Sequence, residues 1–189
     1  MLNNKLFASI GIHAFLLTLL AQTVLAAPQK DMDAIIVYGD GWAFAIREPK
    51  GWNVDIKSGS QDGLNAVVLP KGAVYGRADN WINAIVITKA GEDLSTDLSA
   101  DMSSYSKRFP GLKFEDYKPK TANYPSIGKI YVHPSGIREY LVYLNPDKNA
   151  KVFVLFTLVT QGKDFRNFLS TYEDLTNSFR WLGSIKPQR

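Results

Sequence analysis

The sequence predicts an α+β fold in which a mainly antiparallel sheet is covered by helices, an α/β/α sandwich. Three observations carry this expectation. Short apolar runs of period two recur along the chain between tight turns. Two stretches switch to helical spacing, one in mid-chain and one at the end. The run KVFVLFTLVT is apolar at both parities, as befits a central strand covered on both faces.

The first 26 residues are set aside from the fold. Met1 to Ala26 has a short leading segment with Lys5, an apolar stretch from Leu6 through Leu20, and small residues Val24 and Ala26 before the expected cut. That is the pattern of a cleaved secretory signal peptide. Thr18, Gln22, Thr23 and Pro28 argue against a retained membrane anchor, so no stable membrane insertion is expected after cleavage. Cleavage after Ala26 leaves 163 of the 189 residues, enough for one domain with a substantial core. Residues 27–33 read as a leader, 34–185 as a single α+β domain and 186–189 as a tail.

The domain opens with IIVY (Ile35 to Tyr38), a strand ended by Gly39-Asp40-Gly41. FAIRE (Phe44 to Glu48) alternates in period two. Pro49-Lys50-Gly51 then forms a tight turn, and WNVDI (Trp52 to Ile56) resumes the alternation, so the unit reads as a hairpin. LNAVVLP (Leu64 to Pro70) and WINAIVIT (Trp81 to Thr88) are further strands, joined by the Gly-bearing loop of residues 71–80. Leu94, Leu98, Met102, Tyr105 and Phe109 mark one face of a helix that Asp93 or Ser95 caps and Pro110-Gly111 stops. Strands return as LKFEDYK (Leu112 to Lys118), GKIYVH (Gly128 to His133), IREYLVYL (Ile137 to Leu144) and Lys151 to Thr160. A closing helix capped by Asp164 carries Phe165, Phe168, Leu169, Tyr172, Leu175, Phe179 and Leu182 on one stripe, with Gly183 at its end.

Composition excludes several chemistries. There is no cysteine, so disulfides, thiolate nucleophiles and thiolate metal sites are impossible. The net charge of +4 is mild and its cations are dispersed, which leaves nucleic-acid binding without its electrostatic footprint. His133 is the one histidine left after signal cleavage, and Ser135 lies inside the same HPSG turn. A catalytic triad is not expected there, and His133 reads as a turn-flanking residue. Glu92, Asp93, Asp97 and Asp101 gather around the first helix, but lack the spacing of a calcium loop and read as ordinary helix-dipole and capping acids. No catalytic residue, metal ligand or cofactor is predicted.

Aromatic residues are the enriched feature. Trp52 and Trp181 read as core. Tyr75, Arg77 and Trp81 flank the Gly-rich loop and are the candidate binding residues.

The strand-turn-strand unit around EPKGW (Glu48 to Trp52), the order of elements and the closing SFRW (Ser178 to Trp181) resemble the PsbP/Mog1-like superfamily. That resemblance implies an α/β/α sandwich on an antiparallel sheet, and a small non-catalytic binder or accessory protein. The metal and partner residues of its photosynthetic members have no counterpart here, and the signal peptide argues against its nuclear branch. The expected function is an exported, non-catalytic binding or accessory protein of the bacterial cell envelope. It acts through protein-protein contacts, inhibitory or protective towards another envelope protein, in the periplasm or secreted. The alternative is a carboxylate-dependent hydrolase of cell-wall or polysaccharide substrates drawing on Asp55, Glu115, Asp116 or Glu139. A weaker one is recognition of an acidic surface by Lys118, Lys120, Lys129 and Arg138.

Overall fold

The computed structural model describes residues 34–91, 93–121, 123–161 and 165–183. The signal-peptide, leader and tail expectations and the Asp164 cap lie outside these residues. Ten strands and two α-helices follow in the order β1 (Ala34–Gly39), β2 (Trp42–Arg47), β3 (Trp52–Asp55), β4 (Ala66–Pro70), β5 (Trp81–Thr88), α1 (Leu94–Arg108), β6 (Lys113–Tyr117), β7 (Ser126–Val132), β8 (Ile137–Leu144), β9 (Val152–Gln161), α2 (Phe165–Ser178) and β10 (Arg180–Gly183). The described residues fall within one compact unit. Among them, no helix is long and apolar enough to cross a membrane.

Seven strands form one antiparallel sheet in the order β3-β4-β5-β9-β8-β7-β6. This is the predicted α+β class, with β9 at the centre. The alternation of β9 divides its side chains between two layers. Val154, Phe156 and Leu158 meet Tyr172 and Leu175 of α2, while Phe153 and Leu155 meet Leu98 of α1. Both parities are apolar because both faces are covered.

The P-K-G unit does not make a hairpin. β2 pairs with β1 and β10 in a separate three-stranded sheet, whereas β3 pairs with β4 in the large one. The turn therefore carries the chain from one sheet to the other. Trp52 N donates to Pro49 O at 3.0 Å across it, and Gly51 holds φ +82°, which an L side chain rarely adopts. Gly51 O then accepts from Lys71 N at 2.9 Å, tying the turn to the end of β4. Trp52 is 5% exposed and meets Phe168 of α2 edge to face, so its expected place in the core holds.

The closing helix is shorter than its stripe predicts. It ends at Ser178, and Arg180–Gly183 forms β10 against β2. Phe179 stays buried against Phe44 and Phe156, but Leu182 leaves the stripe and is 50% exposed. Tertiary pairing overrides helical spacing here: Phe44 lies opposite Trp181 in the register, and extending the strand satisfies the backbone of β2 on its open edge. The face of the large sheet that carries α2 is thus completed by the small sheet through Phe44, Ile46, Trp42 and Trp181.

Candidate functional site

The opposite face is only partly covered. α1 begins where Asp93 accepts from Ser95 N at 3.0 Å and ends where Phe109 N returns to Tyr105 O at 2.8 Å, before Pro110 and Gly111. Its apolar stripe covers Phe153, Leu155, Tyr143, Leu141 and Tyr131. The segment from Leu64 through residues 71–80 covers Val67, Leu69 and Ile85 of the outer strands, with Trp81 packed against them. Between these two lids lies a cleft of about 820 Å³.

Its floor follows from strand register. Asn83 of β5 stands opposite Thr157 of β9, with Val67 of β4 on its other side. Along the strands the same face carries Trp81 and Ile85, Leu155 and Val159. Asn83 and Thr157 are each 5% exposed, and Asn83 Oδ1 has no hydrogen-bond partner among the described residues. A polar pair at the centre of an apolar sheet is unusual, because an unmet buried acceptor costs about 1–3 kcal/mol.

One wall is aromatic and charged. Tyr105, Arg108 and Phe109 from the end of α1 stand beside His133, Pro134 and Ser135 of the β7–β8 turn. Gly136 at φ +89° closes that turn, with Gly136 N donating to His133 O at 2.9 Å. Because Tyr131 lies opposite Glu139, His133 and Glu139 are diagonal neighbours on one face, and His133 Nε2 sits 2.6 Å from Glu139 Oε1. Burial pushes the Glu139 carboxyl above the usual range, while its hydrogen bond to His133 pulls the other way. His133 is therefore not a plain turn-flanking residue. Phe109 meets its ring edge to face, and Arg108 lies over the Phe109 ring at 5.2 Å.

The acids of α1 point inward. Asp97 is buried and accepts from Ala90 N at 2.9 Å. Asp101 accepts from the hydroxyls of Tyr131, at 3.1 Å, and Tyr143, clamping the helix to the sheet. They brace the cleft wall from behind, where the sequence suggested only helix-dipole and capping acids. Among the described residues no cluster of histidine and carboxylates could hold a metal.

The predicted binding residues are brought together in part. Trp81 lines the cleft. Tyr75 meets the Trp81 ring edge to face, and its hydroxyl donates at 2.8 Å to Asp62, which also lines the cleft. Burial, helped by Asp62, pushes the Tyr75 hydroxyl up to about 12. Arg77 is exposed and does not line the cleft. Of the acids weighed for hydrolysis, Asp55 accepts from the backbone of Lys57 and Ser58, which holds its carboxyl below the usual range. Glu115 pairs with Arg138 and Asp116 with Lys129 on the surface; only Glu139 reaches the cleft. Lys120 is likewise paired, with Glu173, so three of the four cations weighed for an acidic surface already have acid partners.

Asn83 and Thr157 are the residues that periodicity alone passed over. Asn83 is the one polar side chain of its face in β5, and Thr157 interrupts the run Phe153, Leu155, Val159 in β9; that break in the pattern is their signal.

No protein-family model and no curated protein matches the sequence. Solved structures do match. LpqN of Mycobacterium tuberculosis, described as involved in cell envelope biogenesis, aligns with a TM-score of 0.51 at 12% identity, over 78% of this chain and 90% of that one. The cyanobacterial PsbP protein CyanoP of Synechocystis sp. PCC 6803 aligns with a TM-score of 0.49 at 15% identity, over 82% and 96%. The chain has an α+β sandwich fold like that of LpqN, and at this identity the likeness concerns the fold alone.

Proposed function

We propose that the protein is an exported binding or accessory protein of the bacterial cell envelope that holds a partner protein in the cleft beside α1 and does no chemistry on it. The observation that carries this reading is the cleft itself: a cavity of about 820 Å³ over a largely apolar stretch of sheet, flanked by Trp81, Tyr105 and Phe109. Such a concave apolar patch ringed by aromatic and polar groups is the usual form of a binding site. Its carboxyl groups are both engaged, Glu139 with His133 and Asp62 with Tyr75, which suits holding better than proton transfer. The signal-peptide pattern of the first 26 residues supports export. LpqN, of similar fold, is described as involved in cell envelope biogenesis, which is consistent with an envelope setting.

Immobilised protein is exposed to envelope extract, and the retained partner is quantified. Recovery falls for Trp81→Ala, falls less for Tyr75→Ala, which supports Trp81 from behind, and is unchanged for Arg77→Ala. Equal recovery by all three folded variants overturns the assignment to this cleft. The hydrolase alternative keeps one observation, that Asp62 and Glu139 both line the cleft. Turnover of an envelope-glycan panel that disappears in Glu139→Gln replaces the binding reading with it.

A further inference from the structure

We infer that β1 is the pairing edge of a homodimer. Two copies of the chain join antiparallel along β1, Ile36 of one opposite Tyr38 of the other, and merge their small sheets into one continuous sheet. This edge is separate from the cleft and does not depend on the binding reading above.

An open sheet edge recruits another strand unless something prevents it, and natural edges are shortened, bulged, charged or capped for that reason. Among the described residues the edges are β3 and β6 of the large sheet and β1 and β10 of the small one. All but β1 are guarded. β6 carries Lys113, Glu115 and Asp116 within its five residues. β3 has four residues, and Val54 N donates to the Glu48 carboxylate at 3.1 Å. β10 also has four, shifts register between Trp181 and Gly183, and its Trp181 N donates to the Tyr124 hydroxyl at 3.0 Å. β1, AIIVYG, has no charge, proline or bulge, and pairs with β2 without a break from Ala34 to Gly39. Among the described residues no strand pairs with its other side.

Register identifies the groups left open. Gly39 and Trp42 flank a two-residue loop, and residues so placed exchange hydrogen bonds. By alternation Val37 and Ile35 also bond to β2, while Tyr38, Ile36 and Ala34 turn their N–H and C=O outward. Arg47 N, opposite Ala34, accordingly donates to Ser178 Oγ at 2.9 Å and not to β1. The side chains beside these open groups are bare as well. Tyr38 is 68% exposed and Ile36 53%, whereas Val37 between them is buried in the core. Free backbone groups flanked by exposed apolar side chains accept an added strand.

A second copy supplies that strand. A two-fold axis at Val37 sets Ile36 opposite Tyr38 of the other copy and Tyr38 opposite its Ile36, aromatic against β-branched, a favourable cross-strand pair. Each pair exchanges its outward N–H···O bonds. The charges match too. The same register brings Asp40, in the turn after β1, to the end of the other copy's β1 where Arg47 stands opposite Ala34. A guanidinium has donors for more than one acid, and symmetry repeats the contact. The small sheet packs on the α2 face and the cleft opens on the α1 face, so both clefts stay open in the dimer.

Sedimentation velocity of the chain from Ala27 onward reads the association. A six-residue edge makes a small interface, so the wild type passes from monomer to dimer with Kd of about 10–100 µM. Ile36→Lys and Tyr38→Lys each weaken the dimer about tenfold or more. Both keep the wild-type urea midpoint at low concentration, because both positions are exposed. Trp81→Ala dimerises like the wild type.

The chain has no cysteine, so single introduced thiols read the register. Opposed residues of a hydrogen-bonded pair have Cα atoms about 5.5 Å apart, within disulfide reach. An equal mixture of Ile36→Cys and Tyr38→Cys, mildly oxidised, yields the mixed dimer in roughly tenfold excess over either like pair. A wild type still monomeric at about 500 µM, lysine variants that dimerise as well as it does, or a statistical mixture of disulfides overturns the proposal. So does a monomer that captures another protein at this edge and loses it in Ile36→Lys, since the added strand is then that partner's.

Discussion

Trp52 and Trp81 look alike in the sequence, each opening a strand after a glycine-bearing segment, and the structure sets them apart: Trp52 is buried in the core, whereas Trp81 is half-buried and lines the cleft. Trp52→Ala tests the first. An aromatic side chain of this size buries about 200 Å², which at ~25 cal/mol/Å² is about 5 kcal/mol. Compaction of the unfolded chain reduces that by roughly a quarter. Losing the edge-to-face pair with Phe168 restores about 0.5–1 kcal/mol. The expected cost is about 4 kcal/mol, inside the ~3–5 kcal/mol typical of truncating a buried tryptophan. With a urea slope of about 2 kcal/mol/M for a domain of this size, the midpoint falls by about 2 M. Trp81→Ala, half-buried at the cleft wall, moves the midpoint much less but loses the partner. A Trp52→Ala midpoint within about 0.5 M of wild type, together with loss of partner binding, would refute the reasoning and make the P-K-G-W unit part of the binding surface.

Three further outcomes are expected. Asp101→Ala costs about 3 kcal/mol in urea unfolding because it abandons two tyrosine hydroxyls. Asp116→Ala, removing a carboxylate that is 92% exposed in its pair with Lys129, costs about 0–1 kcal/mol, and equal costs contradict the clamp. Glu139 is held above its ordinary value of 4.5 by burial, so the folded state binds its proton more tightly than the unfolded chain. Its contribution is complete below that value and is lost as pH rises through the folded pKa. The urea midpoint of the wild type relative to Glu139→Gln therefore declines as pH is raised from about 4 and then levels, whereas a pH-independent difference refutes it. Gly51→Ala meets no atom within 4 Å and costs about 1–2 kcal/mol for its positive φ alone. Gly128→Ala places its Cβ 2.5 Å from Tyr117 O and costs about 3 kcal/mol by prying β6 from β7, so the reverse order of stability would count against the register.

Local periodicity reveals local structure, and the limits of the sequence reading lie where pairing is distant. The strands from Ile35 to Thr160 and the helix from Leu94 were legible because each carries its own spacing. RWLG was not, because four residues are too few to show alternation and Leu182 falls three places after Phe179, prolonging the helical stripe. The β2–β3 turn has all the chemistry of a hairpin, yet nothing within it states which sheet each strand joins. Trp81 was legible as an aromatic beside a glycine-rich loop. Asn83 and His133 were not, since a floor exists only where α1 stops short, and His133 enters the cleft through the β7–β8 register. A slip of one residue would turn it to the other face.

The three-stranded sheet joins the first and the last of the described strands across β2, and the bond from Arg47 N to Ser178 Oγ spans 131 positions. A chain made from its N-terminus can assemble the strands from β3 to β9 before β10 is made, but it cannot shut this seam. Phe44 waits for Phe179 and Trp181. Completion of the small sheet thus depends on β10: a product truncated before it keeps the strands of the large sheet yet shows an open apolar seam beside β2, the kind of surface by which quality control recognises incompletely folded proteins.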